Sequence, residues 1–482
     1  MTFLKPHIMI HKSIILSLAW LAIGFSLSAQ KAWTLEDCIQ YAMENNIQIK
    51  QAVLTTEYNE NLLKQSKLGQ IPSLNGNANY NYSWGRALDQ TTYQFTDNQQ
   101  IHSISMGLSS RANLFNGLQV RNTILQNEIN LMASYQDVEK VKNDISLNIA
   151  AAYLTIMFNQ ELVAVSKSQL ETTGQQVERT KKLVEAGKLA RGTYLEIQAQ
   201  YASEELNVVN AENQLSISLL NLQQILDLPI DTAFSVLIPE LENPDQTPMV
   251  IDAMDVYQTA EQLMPEIKSA MLNLESAEKG LAIAKGARSP QLYFSANYNS
   301  GYSDIREQVV DVGPPTQIPL GETVSGEGVV SYPQEMPIYG AYPFFEQLRD
   351  NTSAGIGLGI SVPIFNGWSV NTNIAIARIQ HENAKLQLQS QKLALYAIIQ
   401  QSYADALASL KKFNATQQAL VSMEESFKYT ETRFEVGLVN TVDYNMAKNQ
   451  LIATQSDLLQ AKYDFIFKTK ILQFYQGQPI TL

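Results

Sequence analysis

The sequence predicts an α+β membrane protein built from internally duplicated long α-helical hairpins and four β-strands per chain. Three observations predict it. The hydrophobic period switches from helical to alternating and back, the two halves of the chain resemble each other, and the alternating segments carry one apolar and one Ser/Asn/Gly face. With 482 residues, 45% hydrophobic and 17% charged, the chain has ample material for a core and is not a disordered or collagen-like polymer. A net charge of −13 argues against a phosphate-tracking surface, so no nucleic-acid partner is expected. The single cysteine, Cys38, cannot form an intrachain disulfide, and four histidines, two of them at His7 and His11, leave too few ligands for a His/Cys metal cluster. No cofactor and no metal are expected.

Residues 1–29 read as a secretory signal peptide: Lys5 and Lys12 precede an apolar run from Ile14 to Leu27, and Ser28-Ala29-Gln30 offers a cleavage site after Ala29. Cys38 does not directly follow the apolar run, so no lipid anchor is expected. No later stretch reads as approaching the roughly 18 apolar residues of a membrane helix. If the exported chain crosses a membrane, strands must do it.

The duplication sets the domain organisation. A shift of 218 carries Leu54 onto Leu272, Glu57 onto Glu275, Lys67 onto Lys285, Pro72 onto Pro290 and Ala78-Asn79-Tyr80 onto Ala296-Asn297-Tyr298. A shift of 250 carries Phe115-Asn116-Gly117 onto Phe365-Asn366-Gly367, Gly187 onto Gly437, Tyr194 onto Tyr444 and Pro229 onto Pro479. A period this long means two tandem copies of one unit rather than a solenoid. The first repeat occupies 30–229, an equatorial linker 230–253, and the second repeat 254–482. The shifts differ because the second copy carries a long Pro- and Gly-rich loop, 302–353.

Within each copy the elements follow in order. Thr34 and Asp37 form a capping box that opens a helix running to about Gly69, matched by 255–287 in the second copy. Then Leu74, Gly76, Ala78, Tyr80, Tyr82 and Trp84 alternate with Ser73, Asn75, Asn77, Asn79, Asn81 and Ser83, a two-faced strand. After a polar loop, 85–102, Ile104, Met106, Leu108, Ala112 and Leu114 alternate with Ser103, Ser105, Ser109, Arg111 and Asn113. The second copy repeats the pattern over 292–299 and 355–364.

From Gly117 the period becomes seven, through Ile124, Leu131, Val138, Ile145 and Ala152, and stays helical to about Ala186. Some 70 residues of helix span about 105 Å. A second seam runs through Tyr194, Tyr201, Val208, Leu215 and Leu222, and the second copy keeps its phase at Tyr444, Leu451, Leu458, Phe465 and Leu472. The shorter helices, stacked end to end, match the long ones in length, which predicts a tall bundle with strands at one end and the Gly187 and Gly437 turns at the other.

The strands fit either a half-buried sheet in a soluble sandwich or the wall of a membrane barrel. Aromatics at both strand ends, Tyr80, Tyr82, Trp84, Tyr298 and Tyr302 at one and Phe115, Phe365 and Trp368 at the other, favour the barrel. Four strands cannot close a wide barrel, so that reading requires oligomerisation, for instance three chains giving twelve strands. Gly355-Ile356-Gly357-Leu358-Gly359 lies inside an alternating strand and is not a phosphate loop. His102 and His381 have no acidic or nucleophilic motif attached, and carboxylates dispersed along helices read as solvated faces. No enzyme signature emerges. The glycines at the two helix turns read as left-handed caps, with Asp443 capping the following helix.

Together and in order, Thr34-Leu35 through Asn45-Asn46, both Phe-Asn-Gly corners and both turn glycines, Val436-Gly437-Leu438 above all, make the chain resemble the TolC-like outer-membrane factor (outer membrane efflux protein) family. The resemblance implies a homotrimer with a twelve-stranded transmembrane β-barrel in outer-membrane lipid and a periplasmic helical tunnel. It implies a passive exit duct of a tripartite efflux or type I secretion system in a Gram-negative outer membrane, with a periplasmic adaptor and an inner-membrane transporter as partners. Gly187, Lys188, Val436, Gly437 and Leu438 resemble adaptor-contacting tips, and Asp443 matches an acidic position of the periplasmic gate. The first copy has Thr193 at that position, a second acid expected at 446 is Met446, and the gate-linking aromatic and basic positions are Phe434 and Val439; Glu196 is a candidate compensating acid. Phe115, Asn116, Gly117, Phe365, Asn366 and Gly367 are the strand-to-helix corners. The alternative is a non-membrane periplasmic coiled-coil structural or adaptor protein.

Overall fold

The computed structural model describes residues 32–86, 95, 99–229, 234–239, 252–322, 326 and 329–481. The signal peptide, most of the 230–253 linker and most of the loop after the first strand lie outside the described residues. In the first copy the elements are α1 (Leu35–Asn45), α2 (Ile47–Leu68), β1 (Ser73–Gly85), β2 (Gln99–Phe115), α3 (Gln119–Glu185) and α4 (Arg191–Ile225). The second copy has α5 (Ala253–Leu263), α6 (Pro265–Gly286), β3 (Gln291–Ser303), β8 (Ser353–Ser361), α8 (Ser369–Glu435) and α9 (Thr441–Tyr475). Between β3 and β8 come β4 (Glu307–Val312), β5 (Thr316–Glu322), β6 (Val329–Gln334), β7 (Pro337–Ala341) and α7 (Phe344–Asp350). The boundaries of α1, α2 and β1 recur 218 residues later, and those of α3 and α4 recur 250 residues later.

Two corrections to the sequence reading concern continuity. The first helix of each copy is broken into two, at Asn46 and at Met264, each with extended backbone. The causes differ. The Asn46 side chain accepts from the amides of Gln48 and Ile49, capping α2, and donates to the Ile225 carbonyl at 2.9 Å. In the second copy Pro265 occupies the first position of α6, where its missing N–H costs nothing and its fixed φ starts a helix. The residue before a proline is pushed to extended backbone, which is what Met264 adopts. The segment 302–353 is no plain loop either: β4 pairs with β7 and β5 with β6, both antiparallel, and α7 follows.

The chain divides into two compact units, 1–58 with 131–273 and 385–482, and 59–130 with 274–384. The first unit is helical and holds two apolar clusters. One centres on Leu35, Cys38, Ile149, Tyr153, Ile156, Met157 and Leu222, the other on Val256, Ile267, Leu395, Ile399 and Leu472. The Thr34/Asp37 capping box forms with both of its hydrogen bonds. Trp33 makes a parallel bridge with Val236, and the Tyr153 hydroxyl donates to the carbonyls of Trp33 and Leu237. Burial pushes that hydroxyl's pKa up, with nearby acidic groups adding to the rise. The seam positions Val138, Ile145, Ala152, Val208, Leu222, Tyr444, Leu451 and Leu472 are all buried. One helix, α3, holds an 18-residue stretch apolar enough to cross a membrane, against the expectation that none follows the leader; half of that stretch is buried, as in a core helix.

The second unit carries an antiparallel four-stranded sheet in the order β1-β2-β3-β8. Its register aligns like with like: Leu74, Ser110, Ala296 and Ile356 form one cross-strand row, Asn75, Ser109, Asn297 and Gly355 the next. A bulge makes Leu114 an extra residue, so Phe115 and not Leu114 sits opposite Leu292. The last strand ends at Ser361, leaving Val362 and Ile364 beyond it and exposed.

Candidate functional site: the sheet wall and the helix tips

The sheet is a wall with two unlike sides. On one, Leu74, Tyr80, Trp84, Met106, Leu108, Tyr298, Ile356, Leu358 and Ile360 are exposed, and Ile356 reaches 83%. A solvated sandwich would cover this side; nothing in the described residues does. On the other stand serines, asparagines and glycines. The inner side of β8 is glycine because its neighbours lie across it: a Cβ at Gly355 would crowd the Asn297 side chain, and one at Gly359 would overlap the Tyr293 ring. The aromatic end is ordered by contacts, with the Tyr80 hydroxyl 2.6 Å from His102 Nδ1 and the Tyr82 ring packed on both His102 and Trp84. The His102 backbone amide donates to Asp304 at 2.9 Å.

Beyond that end, α7 is tied to β3. The buried Gln347 side chain donates to the Ser303 carbonyl and accepts from the Ser303 amide, Asn351 donates to the Gly301 carbonyl, and Phe344 meets the Tyr302 ring edge-on.

Both Phe-Asn-Gly corners turn by the same means. Gly117 and Leu118 have φ of 68° and 62°, Gly367 and Trp368 have 64° and 68°, two consecutive left-handed residues that reverse the chain before the helix starts. Asn116 helps begin α3 by accepting from the Val120 amide.

In the helical unit the tips form as the turn glycines predict. Gly187 and Gly437 are left-handed, and the amides of Lys188 and Leu438 reach back to the carbonyls of Leu183 and Arg433 at 2.9 and 2.8 Å. Val436 and Leu438 are 66% and 71% exposed. Asp443 is not the cap of α9: the Asn440 side chain caps it, accepting from the Asp443 amide at 2.8 Å, and Asp443 stands exposed one turn in. Glu196 lines a groove with Val442, Asn445 and Met446, while Thr193 and Asp443 are not among the groove's lining residues. Phe434 stacks on Tyr444 with centroids 4.6 Å apart, inside the α8–α9 hairpin. Tyr444 is buried, which pushes its pKa up to about 12, and its hydroxyl has no hydrogen-bond partner among the described residues.

One group contradicts the reading of helix carboxylates as solvated. Glu204 on α4 is buried against Lys448 of α9 at 3.0 Å, both side chains 3% exposed, and Thr173 of α3 hydrogen-bonds both. Gln200 donates to the same carboxylate. The clue in the sequence was weak: Lys448 and Glu204 fall four and three residues after seam tyrosines, which alone does not separate core from surface.

An open sheet with a bare apolar side and a polar side, in a chain with long heptad helices, defines a subunit of an outer-membrane channel. The family model for "Outer membrane efflux protein" matches residues 38–227 and 256–472, and the chain belongs to that family. Among curated relatives, it is 22% identical to Outer membrane protein TolC of Escherichia coli (strain K12) over 453 residues, 92% of this chain and 83% of the relative. Among solved structures, CusC superposes with a TM-score of 0.73 at 16% identity, covering 94% of this chain and 96% of that one. VceC of Vibrio cholerae gives 0.72 at 16%, covering 92% and 96%. The protein is an outer-membrane exit duct of efflux or secretion systems, and a channel rather than an enzyme.

Proposed function

We propose that three copies pool their sheets into one twelve-stranded barrel, opened at the helix tips by an adaptor and an inner-membrane transporter. The observation that carries the reading is the pair of unpaired edges. In lipid, the open backbone groups of β1 and β8 would each lack water, at several kcal/mol per group. Strand directions alternate across the sheet, so β8 of one copy meets β1 of the next antiparallel, and repetition closes the ring. The bare apolar side then faces lipid and the Ser/Asn/Gly side lines the duct. A passive duct holds no energy source, so its work is done by the transporter.

The exposure of Val436, Leu438, Lys188 and Asp443 supports the tip assignments. Val436, Leu438 and Lys188, around the Gly187 and Gly437 turns, form the adaptor contact, and Asp443, with Thr193 and Glu196, lines the gate. Glu196 and Met446 line the same groove, which supports Glu196 as the candidate compensating acid. The first repeat, the linker and the second repeat, 30–229, 230–253 and 254–482, are the units of this assembly.

Extraction is the test. The chain should require detergent, run as a heat-modifiable trimer and conduct in planar bilayers; a water-soluble monomer would overturn the reading. Asp443→Ala with Glu196→Ala should weaken block by divalent cations, and unchanged block would remove these acids from the gate.

A further inference from the structure

The polar side of the four-stranded sheet is almost free of charge. Read along its register, β1 contributes Ser73, Asn75, Asn77, Asn79, Asn81 and Ser83, and β3 and β8 contribute serine, asparagine, glycine, one glutamine and one tyrosine. Arg306 and Asp350 line a pocket with Ser83, Ser103 and Ser303 at the far strand end; among the described strand residues of that side, Arg111 is the sole charged group and Tyr293 the sole aromatic one. They are together: the Arg111 guanidinium carbon lies 4.2 Å from the Tyr293 ring centroid. Tyr293 in turn is seated over Gly359, where a Cβ would overlap the ring. Three strands therefore cooperate in this pair, β2 giving the cation, β3 the platform and β8 the space beneath it.

No carboxylate among the described residues pairs with this arginine. Stacking on a ring holds the guanidinium plane but uses its face, leaving the edge N–H groups for a ligand. Those groups form a fork that matches the two oxygens of a carboxylate, sulfate or phosphate. The place is defined as well. Arg111 stands opposite Ser73, the first residue of β1, at the strand end next to the helices.

We propose that Arg111, held on Tyr293, is an oxyanion-binding station in the duct wall. It gives the strand-built section a preference for cargo bearing carboxylate, sulfate or phosphate groups. The inference rests on the barrel reading: three copies set three such cations around one wall whose strands carry no other charge on that side, so a multivalent anion is held more firmly than a single group. Low-dielectric walls strengthen the field of those charges inside the pore.

Single channels in planar bilayers test it, with inositol hexakisphosphate as the probe added to each side in turn. Wild-type channels should be blocked reversibly, and raised salt should weaken the block. Arg111→Gln should raise the half-blocking concentration by about tenfold or more while leaving conductance in simple salt near the wild-type value. Tyr293→Leu keeps the charge and removes the platform, and should weaken the block less. Arg111→Lys should fall between wild type and Arg111→Gln. Equal block in wild type and Arg111→Gln overturns the proposal; should Arg111→Gln not assemble, equal block in Arg111→Lys and Tyr293→Leu does so. Absence of any conductance from wild-type protein is a different result, which removes the barrel and this station with it.

Discussion

The corner from β2 into α3 and the corner from β8 into α8 use the same Phe-Asn-Gly tripeptide and the same left-handed backbone, yet their surroundings differ. A Cβ at Gly117 would run into the Gly286 carbonyl, and Gly286 is equally closed by the Gly117 carbonyl, whereas nothing among the described residues lies within 4 Å of a Cβ at Gly367. Duplication preserved the turn, and divergence changed what leans on it. The same holds in the helical unit. The Glu204–Lys448 pair has Thr454 and Gln198 at the equivalent places of the other copy, and Cys38 has Val256. The comparison separates what the shared fold demands from what each copy added.

The largest effect should come from the buried pair. Glu204→Leu alone leaves Lys448 buried without its partner and should cost about 3–5 kcal/mol. Adding Lys448→Met should recover most of it, as read from the midpoint of thermal trimer dissociation in detergent; equal loss in single and double variants would show that the pair does not act as a unit.

Next come the corners. Gly117→Ala forces backbone to move as well as straining φ and should cost about 2–4 kcal/mol, against about 1 kcal/mol for Gly367→Ala, where only the left-handed conformation resists. Equal losses, measured the same way, would mean that a neighbouring subunit fills the second corner.

The tips should differ by less. Asn440→Ala removes a cap and should cost about 1 kcal/mol, while Ala190→Asn supplies one that the first copy lacks and should gain up to about that amount. Thermal melts followed by circular dichroism would register both.

A small change is expected at Cys38. Cys38→Val, which installs the second copy's residue, should shift stability by less than about 1.5 kcal/mol. Burial, with Asp37 and Glu36 adding to it, raises the thiol pKa from 9.0 to about 12. The folded state therefore prefers the protonated thiol, and the associated stability is complete below about pH 9 and lost as pH rises toward 12. At pH 8 iodoacetamide should leave folded protein unlabelled, and Cys38→Val should lack that alkaline loss.

Much of this was legible because periodicity and self-comparison report on packing seams directly. The heptad positions Val138, Ile145, Leu222 and Leu472 are buried, and the alternation over Leu74–Trp84 gave the sheet its two sides. The break at Asn46 escaped because an asparagine side chain bonding a carbonyl 179 residues away leaves no local pattern; the break at Met264 was signalled by Pro265. The ribbons within 302–353 were masked by their prolines and glycines, although Val309, Val312, Ile318 and Tyr332 carry strand propensity. At the tips, Phe434 and Met446 occupy positions the family resemblance picks out, but that Phe434 stacks on Tyr444 within its own hairpin depends on rotamers no spacing reveals. The Arg111–Tyr293 pair is diagonal across two strands, so it becomes visible only when register is known.

The β4–β7 ribbons and α7 belong to one copy alone. Around a closed ring of three chains, six hairpin mouths would share one design at the wall, but three would bear these arms and three would not. In that ring the arms would form a threefold crown on a nearly sixfold rim, so an antibody selected against them would count three sites per duct.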